Sequence, residues 1–212
     1  MRLLDISHVL DENTPVFPGE YPTTLTVQKT RERDGYAAYL LQSCLHVGTH
    51  IDMPMHLLDD HRTVSDFPLD GFCGQGVLLD VRGEEAIGMK PVYEDIVTPG
   101  SVVLLWTGWD SFFHKNGGQD DYFARHPVVG DELAAFLLSR GIKILGMDMP
   151  SPDYVPYTFH KALLANGTFV LENLTNLQGL SGVTSFEVMA FPLKIAAEAS
   201  LVRAVCRIPD SN

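Results

Sequence analysis

Three histidines and one aspartate lie within the eleven-residue segment HVGTHIDMPMH, residues 46–56, of a chain with eight histidines in all. Asp52 follows His50 by two residues, so their side chains point to the same side of an extended backbone. His46 and His50 could share a helical face, but the Gly-Thr pair between them favours a turn, and either geometry brings the imidazoles together. Two imidazoles and a carboxylate suit Zn²⁺, Mn²⁺ or Fe²⁺ and leave coordination positions for water and substrate. The segment predicts a catalytic metal site.

His56 ends this segment, two residues after Pro54. It is close enough to the other donors to be a fourth ligand or an acid/base group beside the metal. Surface histidines near a turn are the alternative interpretation, and the regular interleaving with Gly, Thr and Pro argues against it. Four histidines lack neighbouring donors of this kind and receive no metal role: His8, His61, His114 and His126.

The donor set predicts hydrolysis. A divalent ion with an open position lowers the pKa of bound water from about 15.7 to about 7 and polarises a carbonyl oxygen. Cleavage of an amide also requires protonation of the departing amine, which a histidine beside the metal can supply. His56 is the candidate for that role.

Short apolar segments rich in β-branched residues must position these donors. Most are bounded by Gly, Pro or Asp, and we predict strands in TTLTVQ, AAYLLQSCL, GVLLDV, SVVLLW, IKILGMD, TFVLEN and SLVRAVCRI. Several of these segments are apolar on both sides, which predicts a central sheet that is covered on both faces. The metal-binding segment follows AAYLLQSCL, so its donors are expected at the end of that strand.

Two segments of the second half have helical spacing. DELAAFLLSRG has acids in its first turn and Gly141 at the position of a left-handed cap. TFHKALLANG has Thr158 as the predicted N-cap and Gly167 as the stop. The prediction is an α/β fold with a strand-rich N-terminal half and helix–strand units in the second half.

Composition excludes several functional classes. The chain has 27 acidic and 15 basic residues, a formal charge of -12, which repels nucleic acids and anionic membranes. No apolar segment approaches the roughly 20 residues that span a bilayer, and the N-terminus becomes acidic too early for a signal peptide. We therefore expect a cytoplasmic protein with a small-molecule substrate and one domain over residues 1–212. Three widely spaced cysteines, expected to be buried thiols, suggest neither disulfides nor a thiolate zinc site: Cys44, Cys73 and Cys206.

The histidine-rich segment resembles the His-x-Gly-Thr-His-x-Asp-x-Pro-x-His signature of the putative cyclase family of metal-dependent hydrolases. That family includes bacterial kynurenine formamidases, and isatin hydrolases are relatives. The segments LDISHVLDENTPVFPGE, GIKILGMDMPSPD, HKALLANGTFVLENLTNL and PLKIAAEASLVRAV resemble further parts of the family, so the resemblance covers nearly the whole chain. It implies a swivelling β/β/α domain that assembles as a homodimer or larger homo-oligomer.

The resemblance also implies a ligand set. His46, His50 and Asp52 would bind one divalent ion, Asp52 would bridge to a second, and the remaining ligands would be His160 and Glu172. Two Zn²⁺ per chain are expected, with Mn²⁺ as an alternative. Glu172 interrupts the apolar segment TFVLEN, and a buried carboxylate calls for a cation on physical grounds as well. His56 matches the catalytic histidine of the family.

The family resemblance implies hydrolysis of an aryl formamide such as N-formylkynurenine, which would give kynurenine and formate. The formamidases carry tryptophan in a Pro-x-Trp-Pro-Gly context, where this chain has Phe17. Phenylalanine keeps an aromatic face for the substrate but lacks the indole N–H. Hydrolysis of a cyclic amide such as isatin, or of a lactone, is therefore the main alternative.

Two other classes fit part of the pattern. A non-haem iron oxygenase could use His50 and Asp52 with a distant histidine, but the additional donors argue against it. A non-catalytic metal-binding protein would keep the ligands and hydrolyse nothing. Oxygen consumption with Fe²⁺ distinguishes the first class, and formanilide hydrolysis with Zn²⁺ or Mn²⁺ the second.

Overall fold

A computed structural model of the chain describes residues 1–114 and 119–210. Its strands are β1 (Arg2–Asp5), β2 (Thr24–Lys29), β3 (Ala38–Gln42), β4 (His50–Asp52), β5 (Cys73–Asp80), β6 (Ala86–Ile87), β7 (Val102–Trp106), β8 (Val128–Val129), β9 (Ile144–Met147), β10 (Phe169–Glu172), β11 (Glu187–Met189), β12 (Ala199–Leu201) and β13 (Val205–Ile208). The α-helices are α1 (Arg31–Asp34), α2 (Tyr93–Ile96), α3 (Gln119–Ala124), α4 (Asp131–Arg140) and α5 (Thr158–Ala165). Short 3₁₀ helices cover Pro54–His56, Val64–Asp66, Leu69–Phe72, Trp109–Phe112 and Leu177–Leu180.

One nine-stranded sheet organises the fold, in the order β1-β13-β11-β5-β7-β9-β10-β4-β12. Strands β5, β7, β9 and β10 are parallel, and antiparallel strands flank them on both sides. Helices α4 and α5 lead into β9 and β10, so the parallel part is built from helix–strand units. The predicted α/β class is confirmed.

Both faces of the sheet are covered, as the two-sided apolar segments predict. Side chains of β7 alternate between two apolar clusters. Val102 and Leu104 pack into one, and Val103 and Leu105 into the other. All four are fully buried. Burial of each such side chain is worth about 1.5–3 kcal/mol, so this strand anchors both layers.

The predicted strand SLVRAVCRI is wrong as a single strand, because it forms both β12 and β13. Strand β12 pairs with β4 at one end of the sheet, whereas β13 pairs with β1 and β11 near the other end. Arg203, between them, donates to the Asp5 carboxylate at 2.9 Å. Only residues 202–204 separate the two strands, so the two ends of the sheet must lie close together.

Helix α4 follows the prediction, with Gly141 in the left-handed region at φ 58° after the last turn. The predicted N-cap of α5 is wrong. Tyr157, at φ 59°, precedes the helix, and the Thr158 side chain does not cap it. The Asp153 carboxylate instead accepts from the Phe159 N–H at 2.7 Å, which satisfies a donor of the first turn. Gly167 lies just beyond the helix at φ 79°.

Two further observations bear on the predictions. Cys206 is buried as expected, but the expectation is wrong for Cys44, which follows the β2–β3 hairpin, and for Cys73, the first residue of β5, because both are only partly buried. Within residues 1–114 and 119–210, no helix has the length and apolar character needed to cross a bilayer.

Candidate metal centre

Strand β4 carries two of the predicted ligands inside the nine-stranded sheet. The expected position at the end of the preceding strand is wrong, since β3 forms a separate hairpin with β2. His50 and Asp52 lie on the same face of β4, and Glu172 of β10 is directly opposite His50 in the antiparallel register. Opposed residues have Cβ atoms about 4.5–5.5 Å apart, so strand pairing brings Glu172 to the first motif across 122 residues of sequence.

The Gly-Thr pair of the motif forms the turn that the sequence predicts. Gly48 has φ 57°, which favours glycine. Thr49 donates its hydroxyl to the Asn173 carbonyl at 2.6 Å and accepts from the His8 N–H at 2.9 Å. Asn173 also donates its side-chain N–H to the Gly48 carbonyl at 3.0 Å. The turn before β4 is thereby fixed to the end of β10.

The other two histidines come from short helices. His160 is buried on α5, which packs against β10. His56 ends the 3₁₀ helix Pro54–His56, which turns the chain back toward the cluster. The centroid of its ring lies 4.0 Å from that of His46 and 5.7 Å from that of His160.

All six predicted metal and catalytic residues therefore meet in one cluster around the fully buried Asp52. His46 Nδ1 lies 2.9 Å from Asp52 Oδ1, and His160 Nε2 lies 3.4 Å from Asp52 Oδ2. His50 Nε2 lies 3.5 Å from Asp52 Oδ1 and 3.4 Å from Glu172 Oε2. The donor atoms lie close enough together to form two candidate sets of metal ligands. One set is His50, Asp52 and Glu172, and the other is His46, Asp52 and His56.

The donor atoms of this cluster fit a divalent cation. The Gly48 carbonyl accepts from His50 Nδ1 at 2.8 Å, so Nδ1 carries a proton and Nε2 is the ring nitrogen available as a ligand. Buried without a hydrogen-bond partner are His50 Nε2, both Asp52 oxygens, Glu172 Oε1 and His160 Nε2. Such atoms normally find partners. The carboxylate oxygens and His50 Nε2 can only accept, so they cannot pair with one another. A cation between them would satisfy all of them.

Burial and charge act against each other in this cluster. Burial opposes the charged form of His46, but the Asp52 carboxylate outweighs it and raises the pKa of His46 to about 9. Burial likewise opposes the carboxylate of Asp52, yet His46 and His50 hold its pKa well below the usual value. Burial lowers the pKa of His56 to about 4, and the nearby His46 and His160 act in the same direction. Burial raises the pKa of Glu172.

The cluster opens into a cavity of about 580 Å³ with several aromatic side chains on its wall. Phe17, the predicted substrate contact, lies on this wall and packs edge to face on Phe123 with ring centroids 5.5 Å apart. Tyr154 and Tyr157 line the same space. The cavity is large enough for a monocyclic aromatic molecule beside the cluster.

Sequence reasoning missed Glu198. Its Oε1 lies 3.3 Å from His46 Nε2, while the other nitrogen of the same ring faces Asp52. Glu198 immediately precedes β12, and its carbonyl accepts from the Met53 N–H at 3.0 Å. A single acid in the segment KIAAEAS is a signal, but only the pairing of β12 with β4 brings it to the site.

Residues 4–154 match a family described as putative cyclase. The chain is 30% identical to a kynurenine formamidase of Bacillus cereus over 209 residues, which are 96% of each chain. It is 29% identical to a kynurenine formamidase of Bacillus anthracis over 211 residues, 97% of each chain.

Solved structures show the same fold. An isatin hydrolase bound to the product analogue thioisatinate superposes with a TM-score of 0.86 at 20% identity, covering 98% of this chain and 92% of the other. A potential metal-dependent hydrolase with cyclase activity gives a TM-score of 0.75 at 21% identity and covers 99% of both chains. The cyclase-like fold that the resemblance implies is thereby confirmed.

Proposed function

The chain belongs to the putative cyclase family, and from this premise we propose that it is a metal-dependent amidohydrolase that cleaves aryl formamides. N-formylkynurenine, which would give kynurenine and formate, is the leading substrate. The named relatives support hydrolysis as the reaction, and kynurenine formamidases are similar over almost the full length. The geometry of the cluster supports the dependence on metal.

The proposal rests on the atoms that surround His50 Nε2. This nitrogen lies 3.4–3.5 Å from carboxylate oxygens of Asp52 and Glu172, while its partner nitrogen donates to a backbone carbonyl. An unprotonated nitrogen and two carboxylates cannot satisfy one another by hydrogen bonding. Such a set of buried acceptors favours the binding of a divalent cation.

Five residues would hold two divalent ions, with Asp52 shared between them: His46, His50, Asp52, His160 and Glu172. Zn²⁺ and Mn²⁺ both suit imidazole and carboxylate ligands. When bound, such ions would lower the pKa of water and polarise the carbonyl of the scissile amide.

His56 is the proton carrier of the proposed reaction. It is partly exposed at the cavity, and its lowered pKa keeps the ring neutral at neutral pH, so that it can take a proton from water. The protonated ring would then donate to the nitrogen of the departing aromatic amine. Phe17 and the tyrosines of the cavity wall would hold the aromatic ring while this transfer occurs.

Opening of a cyclic amide is the second candidate. Phe17 stands where the formamidases have tryptophan, so the substrate-facing wall differs from theirs. Isatin opening uses the same cleavage of an amide C–N bond and the same proton transfer to nitrogen.

A substrate panel tests the proposal. The protein is freed of metal with a chelator, reloaded with Zn²⁺ or Mn²⁺, and offered N-formylkynurenine, formanilide, isatin and a simple lactone. We expect metal-dependent release of formate from the first two compounds. Activity on isatin or the lactone alone would keep the hydrolase and reject the formamidase, and full activity without metal would reject the metal role.

A further inference from the structure

His126 lines the cavity of the candidate site but belongs to neither ligand group. His126 is buried, with 5% of the residue exposed. The Pro127 carbonyl lies 2.8 Å from Nδ1, and since a carbonyl only accepts, Nδ1 carries the proton. Burial lowers the pKa of His126 to about 4, so the ring is neutral at neutral pH. Its other nitrogen, Nε2, is therefore an acceptor, and it has no hydrogen-bond partner among the described residues.

Tyr154 holds both the ring and the backbone of His126 in place. Tyr154 packs against it with ring centroids 4.2 Å apart, and the Tyr154 hydroxyl donates to the His126 carbonyl at 2.7 Å. Both the ring and its backbone are fixed before any ligand arrives. An acceptor that is positioned in advance loses little entropy when it binds a donor.

Other acceptors lie on the same wall. Asp153 Oδ1 and Ser151 Oγ are buried without a hydrogen-bond partner, and both residues line the cavity. Among the described residues of this lining, none is Lys or Arg. An N–H donor placed beside His126 would find an acceptor in Nε2, whereas a carboxylate there would meet a nitrogen that cannot donate to it.

We propose that His126 is a specificity-determining residue whose Nε2 accepts a hydrogen bond from an amino group on the aromatic substrate, in addition to the formamide. The inference rests on the proposed function and narrows its substrate class. Preferred substrates are aryl formamides with a second N–H donor, and a carboxylate in that position is disfavoured. In N-formylkynurenine the ammonium group would be this donor.

Pairs of ring-substituted formanilides test the inference, with an amino or a methyl group at the ortho, meta or para position. The two substituents have similar size but differ in donor capacity. We expect the metal-loaded protein to favour the amino compound by about five- to tenfold in kcat/KM at one ring position or more, mainly through KM. Electronic effects of the substituents cancel when the same ratio is compared between variants.

Two substitutions of His126 separate its nitrogens. Asn in H126N keeps a donor near the Pro127 carbonyl but has no acceptor at the Nε2 position, whereas Gln in H126Q extends an amide oxygen to it. In H126N we expect the ratio of kcat/KM for the amino compound to that for the methyl compound to fall to the value set by the electronic effects of the substituents alone. In H126Q we expect this ratio to be partly kept. H61N is the matched control, because His61 is exposed and outside the cavity lining.

An amino-to-methyl ratio that is the same in the wild type and H126N at all three positions would overturn the inference. If no formanilide is hydrolysed, the proposed function fails by itself. Calorimetry with phenylenediamines and toluidines, the same pairs without the formyl group, then decides the inference. Tighter binding of the diamine that is lost in H126N supports it, and equal affinities overturn it.

Discussion

His46 and His56 are neighbours in the cluster, with ring centroids 4.0 Å apart, but their surroundings suit different roles. His46 lies between two carboxylates, those of Asp52 and Glu198, which favour a cation at its position. His56 is next to other histidines, and its pKa is lowered to about 4. We infer that His46 is a ligand and that His56 moves protons.

Replacement of His56 by alanine tests that division. H56A should keep its metal and its fold but lose about 10²–10⁴-fold in kcat, the usual contribution of acid–base catalysis. The loss should shrink for substrates with a less basic leaving amine. In H50A, by contrast, metal content and activity should fall together. Metal analysis and initial rates on the same samples measure both, and loss of metal in H56A would make His56 a ligand, as its proximity to His46 and Asp52 also permits.

Glu198 is expected to position His46 rather than to bind substrate. If a cation takes Nδ1 of His46 beside Asp52, Glu198 would accept the proton of Nε2 and fix the ring. E198Q should therefore weaken metal binding by about 10–100-fold, measured by competition with a chelator. E85Q, at an exposed glutamate outside the cavity lining, is the control. Unchanged affinity in E198Q would show that the carboxylate does not support His46.

Replacement of Phe17 tests whether the aromatic side chains of the cavity wall contact the substrate. Its side chain is 45% exposed, and it touches Phe123 at the cavity. F17A should lower kcat/KM for aryl formamides by up to about tenfold, since the lost contact is worth roughly 1 kcal/mol. F191A is the matched control, because Phe191 is equally exposed but outside the cavity lining. An equal rate in F17A and the wild type would show that Phe17 does not contact substrate.

At the scale of elements, Asp148 ties the ends of two parallel strands together. Its carboxylate follows β9 and accepts from the Thr107 and Gly108 N–H groups, both at 2.8 Å, just beyond β7. D148A would leave the Thr107 N–H, the Thr107 hydroxyl and the Gly108 N–H without this acceptor, and it should lower the free energy of unfolding by about 2–4 kcal/mol. Urea denaturation measures the loss, and an unchanged midpoint would contradict the role of this tie.

The decrease in the free energy of unfolding that D148A causes should also depend on pH. Burial raises the pKa of Asp148 from 3.8 to about 6. Its stabilising contribution is therefore complete below about pH 4 and is lost as pH rises through 6. We expect the difference in unfolding free energy between wild type and D148A to be larger at pH 4.5 than at pH 7.5. The opposite order would mean that the folded state favours the ionised carboxyl.

Local patterns predicted many of these elements, because the signals lie within the elements themselves. Helix α4 has its apolar spacing and its terminal Gly141 in one short segment, and the two-sided apolar segments around β7 identify a buried sheet. The split of SLVRAVCRI depends on partners that are distant in sequence. No local pattern indicates that β12 and β13 pair at opposite ends of the sheet.

The site was predictable to the extent that its donors share one segment. His46, His50, Asp52 and His56 have a spacing that chemistry alone identifies as a metal site. His160 and Glu172 followed from family resemblance, and their convergence depends on the register of β10 against β4. The position of Glu198 at the site depends on the pairing of β12 with β4. The acceptor role of His126 Nε2 depends on one hydrogen bond to a backbone carbonyl, which no sequence pattern indicates.

At the scale of the whole molecule, assembly into a homodimer or larger homo-oligomer stays a prediction, as does a single domain over residues 1–212. The β2–β3 hairpin leaves Tyr39, Leu40 and Leu41 between 45% and 64% exposed. A two-stranded hairpin is only marginally stable by itself in water, so we expect a second copy of the chain to cover it. The hairpin and its turn carry one net positive charge, from Lys29 to Asp34, on a chain of net charge -12, which favours this contact.

Light scattering tests the assembly. We expect a mass of at least twice the 23.4 kDa of one chain, shifted toward one chain in L40D. L69D is the control, because Leu69 is 69% exposed and outside the hairpin. A wild-type protein with the mass of one chain would contradict the assembly.

The central claim is that the cluster around Asp52 binds the metal required for hydrolysis. Anomalous diffraction from crystals loaded with Zn²⁺, at the zinc absorption edge, tests it most directly. We predict two peaks about 3.5–4 Å apart, bounded by Asp52 and Glu172. One peak would remove the second ion and keep a mononuclear hydrolase, whereas the absence of any peak in the cluster at full loading would contradict the claim.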